Sequence, residues 1–159
     1  MSAYVEDAKD RLIVWNGNAG KRGALTPEFY QTILDAVERA KDRRIRAIII
    51  TSQGGFFCAG GDLNALIERR SLPEPERREK VELLHDVIRA VRACSVPVIA
   101  AVKGGAAGAG ASIALACDFI VMEAGAKFTA AYVKAGLVPD GGLTASLARM
   151  IPRPLAMEM

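Results

Sequence analysis

Along this chain, short β-branched runs alternate with stretches whose apolar residues recur every three to four positions, the spacing of one helical face. Arg11-Leu-Ile-Val-Trp15 predicts a strand, and the glycine-rich Asn16 to Gly23 predicts a loop. Thr26-Pro27-Glu28 then supplies an N-cap, a proline at the first helical position and an early acid. Behind it Phe29, Ile33, Val37 and Ala40 form one apolar face. Ile45 to Thr51 reads as a buried strand and Leu63 to Arg70 as a helix, followed by a loop over Ser71 to Pro75. Glu76 to Ala93 places Val81, Leu84, Val87, Ile88 and Val91 on one helical face. Val96 to Val102 is a third strand, Ala109 to Cys117 a small-residue helix and Phe119 to Met122 a fourth strand. Strand, helix, strand, helix, strand implies an α/β fold with a largely parallel sheet. A last helix begins at Ala145 and is broken by Pro152 and Pro154. An ending inside an element reads as a truncation.

The 159 residues suit one domain with a real core; 51% are hydrophobic and 25% charged. A net charge of +3 is too small to call for a nucleic-acid or membrane partner. Met1 to Arg11 lacks the apolar run of a signal peptide, and Val96 to Met122 is interrupted by Lys103, Asp118 and clustered glycines. Cys58, Cys94 and Cys117 are odd in number and point to a reduced, cytoplasmic compartment. One histidine, His85 on an amphipathic helix, and no paired cysteines argue against a zinc site. The arginines at 43, 44 and 46, at 69 and 70, and at 77 and 78 read as solvated helix faces, with contact to a phosphate left open.

Three loops follow predicted strands, where parallel α/β sheets gather ligands: Phe56 to Leu63, Val102 to Gly110 and Gly136 to Gly142. The first two are built of small residues and feed helices, whose first N–H groups are unpaired donors. Two such donors converging would make an oxyanion hole for an enolate. The same glycines also serve tight turns and close packing, and the residues alone leave both readings open. No dinucleotide fingerprint or phosphate-binding P-loop is present, and Gly110-Ala-Ser-Ile-Ala114 lacks the second glycine of a nucleophile elbow. Asp140, in a Pro-Asp-Gly tripeptide, reads either as a turn former or as a general acid/base beside a glycine-lined cavity.

At these loops the sequence resembles the crotonase (enoyl-CoA hydratase/isomerase) superfamily. Phe57-Cys-Ala-Gly-Gly-Asp-Leu63 matches the family's F-x-A-G-x-D-L signature. Pro97 to Gly110 with Ala116-Cys-Asp118 matches its second block, and Lys127-Phe128 with Gly136-Leu-Val-Pro-Asp-Gly-Gly142 its third. The resemblance runs in order from about Arg11 to Pro152. It implies a crotonase-like spiral of β-β-α units over residues 1–152, with 153–159 opening a C-terminal helical region that is otherwise absent. It implies acyl-CoA thioester substrates, no separate cofactor and assembly as trimers or hexamers. By position, the oxyanion-hole N–H groups fall on Gly61 and Ala109. Ala24, Ala59, Asp62, Leu63 and Asn64, with Ser112 and Tyr132, would line the acyl-CoA site. Lys21 and Arg22 would lie near the phosphates of the CoA nucleotide.

Hydratases of the family carry two glutamates where this chain has Ser112 and Tyr132, so the resemblance favours isomerisation over hydration. Asp140 matches the acid of the isomerase-like members, and Ala131 to Gly142 is most similar to the branch acting on phenylacetyl-CoA intermediates. Two alternatives stand beside the isomerase. One is a non-catalytic acyl-CoA binder. The other is a Clp-type serine hydrolase, which would need Ser112 and a histidine after it, whereas His85 precedes it.

Overall fold

A computed structural model describes residues 3–159. The main sheet has five strands in the order β1-β2-β3-β4-β6: β1 (Tyr4–Asp7), β2 (Arg11–Asn16), β3 (Ala47–Ser52), β4 (Val98–Val102) and β6 (Phe119–Met122). β1 runs antiparallel to β2, with Tyr4 opposite Trp15, and the other neighbours are parallel. In the three central strands alternate residues are buried: Leu12 and Val14, Ile48 and Ile50, Val98, Ala100 and Val102. Against them pack Phe29, Ile33 and Ala36 of α1 (Pro27–Arg39) and Leu84, Val87 and Val91 of α3 (Glu74–Arg92), in one core. The parallel sheet and its helices agree with the α/β reading. β1 is an addition: its side chains are mostly exposed, yet Tyr4 stacks on Trp15, Glu6 accepts from the Trp15 indole N–H at 2.8 Å and Val5 packs at the edge of the core, so side chains join the backbone in holding it.

A second layer of very short strands completes the architecture. β5 (Gly105–Ala107) pairs parallel with β7 (Lys127–Thr129), and isolated parallel bridges join Leu25 to Gly61 and Cys58 to Ala106. Each strand of the main sheet from β2 onward is thus followed by a second-layer segment and then a helix. Leu25 leads to α1, Cys58 to Gly61 lead to α2 (Leu63–Arg69), β5 leads to α4 (Ala109–Ala116), and β7 leads through a 3₁₀ turn (Ala131–Ala135) to α5 (Leu143–Met150). This is the expected spiral of β-β-α turns.

α1 starts as its sequence predicts: the Thr26 hydroxyl accepts from the Phe29 N–H at 3.2 Å and proline opens the helix. α3 begins two residues early, at Glu74, and Val81, assigned to its apolar face, is exposed. α5 begins at Leu143, and Pro154 stands in the first turn of α6 (Arg153–Glu158), the start of a further helix after the break. No helix among the described residues is long and apolar enough to cross a membrane.

Candidate active site

The second-layer strands carry the three loops to one place. Ala107 N–H donates to the Cys58 carbonyl at 2.9 Å, which locks the loop after β3 against the loop after β4. Gly60 sits at φ +90, and a Cβ there would lie 2.8 Å from the Ala107 carbonyl and 3.4 Å from the Ala109 nitrogen. Glycine is therefore required for both conformation and approach. The next residue is Gly61, immediately before Asp62, the N-cap of α2; Ala109 is the first residue of α4. Neither the Gly61 nor the Ala109 N–H has a hydrogen-bond acceptor among the described residues. Two free backbone donors therefore stand on loops pressed together.

A cavity of about 410 Å³ opens against these loops, lined by Ala59, Gly60, Gly61, Asp62, Leu63, Gly108 and Ala109 on one side. Tyr132 and Asp140 also line it, with apolar wall from Leu25, Leu66, Leu72, Val81, Leu84 and Leu137. An adjoining space of about 850 Å³ shares Ala59, Gly61, Asp62, Leu63 and Arg69 and adds Lys21, Ala24, Asn64, Arg70, Arg77 and Lys134. The two adjoin through these shared residues; Arg69 and Lys80 bring cations to the first as well, and Lys21, Arg70, Arg77 and Lys134 bring more to the second.

Asp140 lies in a loop whose tightness comes from left-handed glycines, Gly136 at φ +66 and Gly141 at φ +57. A Cβ on Gly141 would come within 2.8 Å of the Ser112 Cβ, so this loop rests directly on α4. The Tyr132 hydroxyl donates to Asp140 Oδ1 at 2.6 Å. Ser112 Oγ lies 3.0 Å from the Tyr132 oxygen and 3.0 Å from the Asp140 carbonyl. With the phenol proton committed to the carboxylate, the serine proton goes to one of those two oxygens or to the Gly108 carbonyl, 3.5 Å away. Burial, and then the bond to Asp140, raise the Tyr132 phenol far above its usual range, so it remains a donor.

Asp62 is held below the usual carboxylate range, first by Lys21, whose Nζ donates to Oδ2 at 2.6 Å, and then by the Asn64 N–H at the start of α2. Lys21 is raised correspondingly.

Of the residues singled out from sequence, Gly61, Ala109, Asp140, Tyr132, Ala59, Asp62 and Leu63 line the first cavity, and Lys21, Ala24 and Asn64 the second. Two are placed differently. Ser112 is buried, lines neither cavity and reaches the site through the Tyr132 hydroxyl and the Asp140 carbonyl. Arg22 turns away: its guanidinium lies 4.2 Å from the centre of the Phe56 ring, and it lines neither cavity. Tyr30, in the first turn of α1, lines the first cavity and escaped the sequence reading, because it neighbours Phe29 in an ordinary helical pattern. Burial raises its phenol beyond the usual range. Of the arginines read as solvated faces, Arg69 lines both cavities and Arg70 and Arg77 the second, and His85 pairs with Glu82 at 3.3 Å on α3. Among the described residues no group of three or more His, Cys, Asp or Glu side chains gathers as metal ligands.

Residues 18–159 match the family model described as Enoyl-CoA hydratase/isomerase. A probable enoyl-CoA hydratase, EchA14, of Mycobacterium tuberculosis is 39% identical over 132 residues, which cover 82% of this chain and 50% of that protein. The 1,2-epoxyphenylacetyl-CoA isomerase of Escherichia coli is 42% identical over 127 residues, 79% of this chain and 48% of that one. The crystal structure of an enoyl-CoA hydratase from Polaromonas superposes with a TM-score of 0.92 at 43% identity, over 98% of this chain and 61% of that one. The chain spans about half the length of the curated relatives it matches.

Proposed function

Because the chain belongs to the enoyl-CoA hydratase/isomerase family, we propose that it binds an acyl-CoA thioester and shifts a double bond by proton transfer, with Asp140 as the base. The observation that carries this reading is the cavity itself, where Asp140 shares a lining with the unpaired N–H groups of Gly61 and Ala109. The other two carboxylates there are Asp62, paired with Lys21, and Glu68 of α2. The thioester oxygen accepts from those two donors. Asp140 removes a proton from the carbon beside the thioester carbonyl of a 3-enoyl substrate. The electron pair moves into an enolate, whose oxygen is stabilised by the two N–H groups. Asp140 then returns the proton two carbons further along, and the double bond ends conjugated with the thioester. Nothing is gained or lost, so one carboxylate serves both steps.

Lys21, Arg70, Arg77 and Lys134, which line only the second space, suit the CoA phosphates. Isomerisation is preferred to hydration because Ser112 and Tyr132 are bonded to each other and to Asp140, and neither offers a second carboxylate to activate water. The relative from Escherichia coli, named an isomerase of 1,2-epoxyphenylacetyl-CoA, supports the same branch.

The test is 3-enoyl-CoA in heavy water, with deuterium uptake followed by mass spectrometry. Uptake is expected for the wild-type chain and is lost in Asp140→Asn, while saturable CoA binding remains. Equal uptake in that variant removes Asp140 from the mechanism. Binding without uptake in the folded wild type leaves an acyl-CoA binder.

A further inference from the structure

The carboxylate of Asp140 is not symmetric in its surroundings. Oδ1 accepts the 2.6 Å bond from the Tyr132 hydroxyl, whereas Oδ2 has no partner among the described residues. Tyr132 itself is only 6% exposed and is seated in the 3₁₀ turn after β7. Its oxygen is tied through Ser112 to the first turn of α4, the helix that begins at Ala109. Ser112 also reaches the Asp140 carbonyl, so the side chain and the backbone of the base are both held to one helix. That helix carries one of the two proposed oxyanion donors.

We infer that Tyr132 is a positioning residue, with Ser112 behind it, that occupies Oδ1 of Asp140 and leaves Oδ2 as the single basic atom facing the substrate. This rests on the proton-transfer reading above and adds a consequence to it. A base with one working oxygen removes and returns the proton on the same face of the substrate. The substrate's own proton stays on Oδ2 between the two steps, in competition with exchange into water. With the phenol gone, the carboxylate rotates about its side-chain bonds, either oxygen meets the substrate in a less fixed direction, and exchange gains on return.

The experiment uses 3-enoyl-CoA labelled with deuterium at the carbon beside the carbonyl, and reads the label kept in the product together with kcat and KM. The wild type keeps part of the label. Tyr132→Phe is expected to lower kcat by about tenfold or more with KM within about twofold, and to keep less label. Ser112→Ala is expected to move the same way by less, and it reads the same ratio if Tyr132→Phe does not fold. A purely structural tyrosine would change stability without changing the label ratio. If Asp140→Asn turns over like the wild type, the proton-transfer reading itself is wrong. If Asp140→Asn is inactive but Tyr132→Phe matches the wild type in kcat and label, only the positioning role falls.

A second readout needs no turnover. The resonance of the Tyr132 ring carbon that bears the hydroxyl, identified by its absence in Tyr132→Phe, is compared at neutral pH between the wild type and Asp140→Asn. It is expected to shift, because the hydroxyl exchanges a charged acceptor at 2.6 Å for a neutral amide. An unchanged resonance would show that Tyr132 and Asp140 do not bond, and would overturn the inference.

Discussion

Gly110 shows how closely the two site loops are fitted. A Cβ on it would meet the Cys58 carbonyl at 2.5 Å, the thiol at 2.6 Å and the Cys58 Cβ at 2.7 Å. No flexible group can yield there: the obstacle is backbone and a fully buried side chain. Gly110→Ala is expected to destabilise the protein by about 1–3 kcal/mol in urea unfolding, the usual range for overpacking a core. It should also reduce deuterium uptake, since it pushes the start of α4 and the Ala109 N–H away from Gly61. Gly20, where a Cβ would meet nothing within 4 Å, is the comparison, and Gly20→Ala should leave both properties unchanged. Equal behaviour of the two variants would mean that the loops are not in this contact. The Cys58 thiol belongs to the same packing: burial pushes it up to about 12, so it stays protonated and inert near neutral pH.

At the scale of elements, α1 and the site loop share an end. Leu25 N–H donates to the Gly60 carbonyl at 2.8 Å, and the next residue, Thr26, caps α1. Thr26→Ala removes the acceptor for the Phe29 N–H and is expected to cost about 1 kcal/mol, with Thr26→Ser recovering most of it. Thermal or urea unfolding checks this; a loss in Thr26→Ser as large as in Thr26→Ala would show that the methyl group rather than the cap is responsible. The Asp62 cap of α2 works the same way and is reinforced by Lys21. α2 buries none of its residues, so its place over the cavity depends on that start and on its connection to α3.

For the molecule as a whole, one ion-pair group ties together segments distant in the chain. Asp7, at the end of β1, accepts from both terminal nitrogens of Arg44, at 2.8 and 2.6 Å, and from Arg39 at the end of α1 at 3.1 Å. The Arg44 guanidinium holds the Asp7 carboxyl down to about 2 from an ordinary 3.8. A depressed acid stabilises the fold above its unfolded value, and that stabilisation is lost as pH falls from there through the folded one. The melting temperatures of the wild type and Asp7→Asn should therefore differ at pH 6 and converge toward pH 2. A difference independent of pH would mean that the ionised carboxylate contributes nothing. The group is exposed, so added salt should shrink the difference as well.

The amino-acid pattern alone determined the α/β class, the main parallel strands, the capped start of α1 and the three loops, because each rests on local chemistry. β-branched runs, a Thr-Pro-Glu start and clustered glycines state their preference within a few residues. The motifs of those loops also carried the family, since spacing and order survive without coordinates. Only the tertiary structure decided the rest. Leu25, Cys58, Gly61 and the three-residue β5 and β7 form the second layer, and segments that short have no periodicity to read. Tyr4 to Asp7 pairs as a strand where Arg11 to Asn16 offers it an edge and Trp15 meets both Tyr4 and Glu6. Tyr30 and the arginines at 69, 70 and 77 reached the cavities through helix placement. Ser112, Tyr132 and Asp140 are separated by gaps of 20 and 8 residues, and nothing in those gaps announces a hydrogen bond. Their contact exists because the Gly141 turn packs onto α4, and a contact of that kind belongs to the packing of the whole chain.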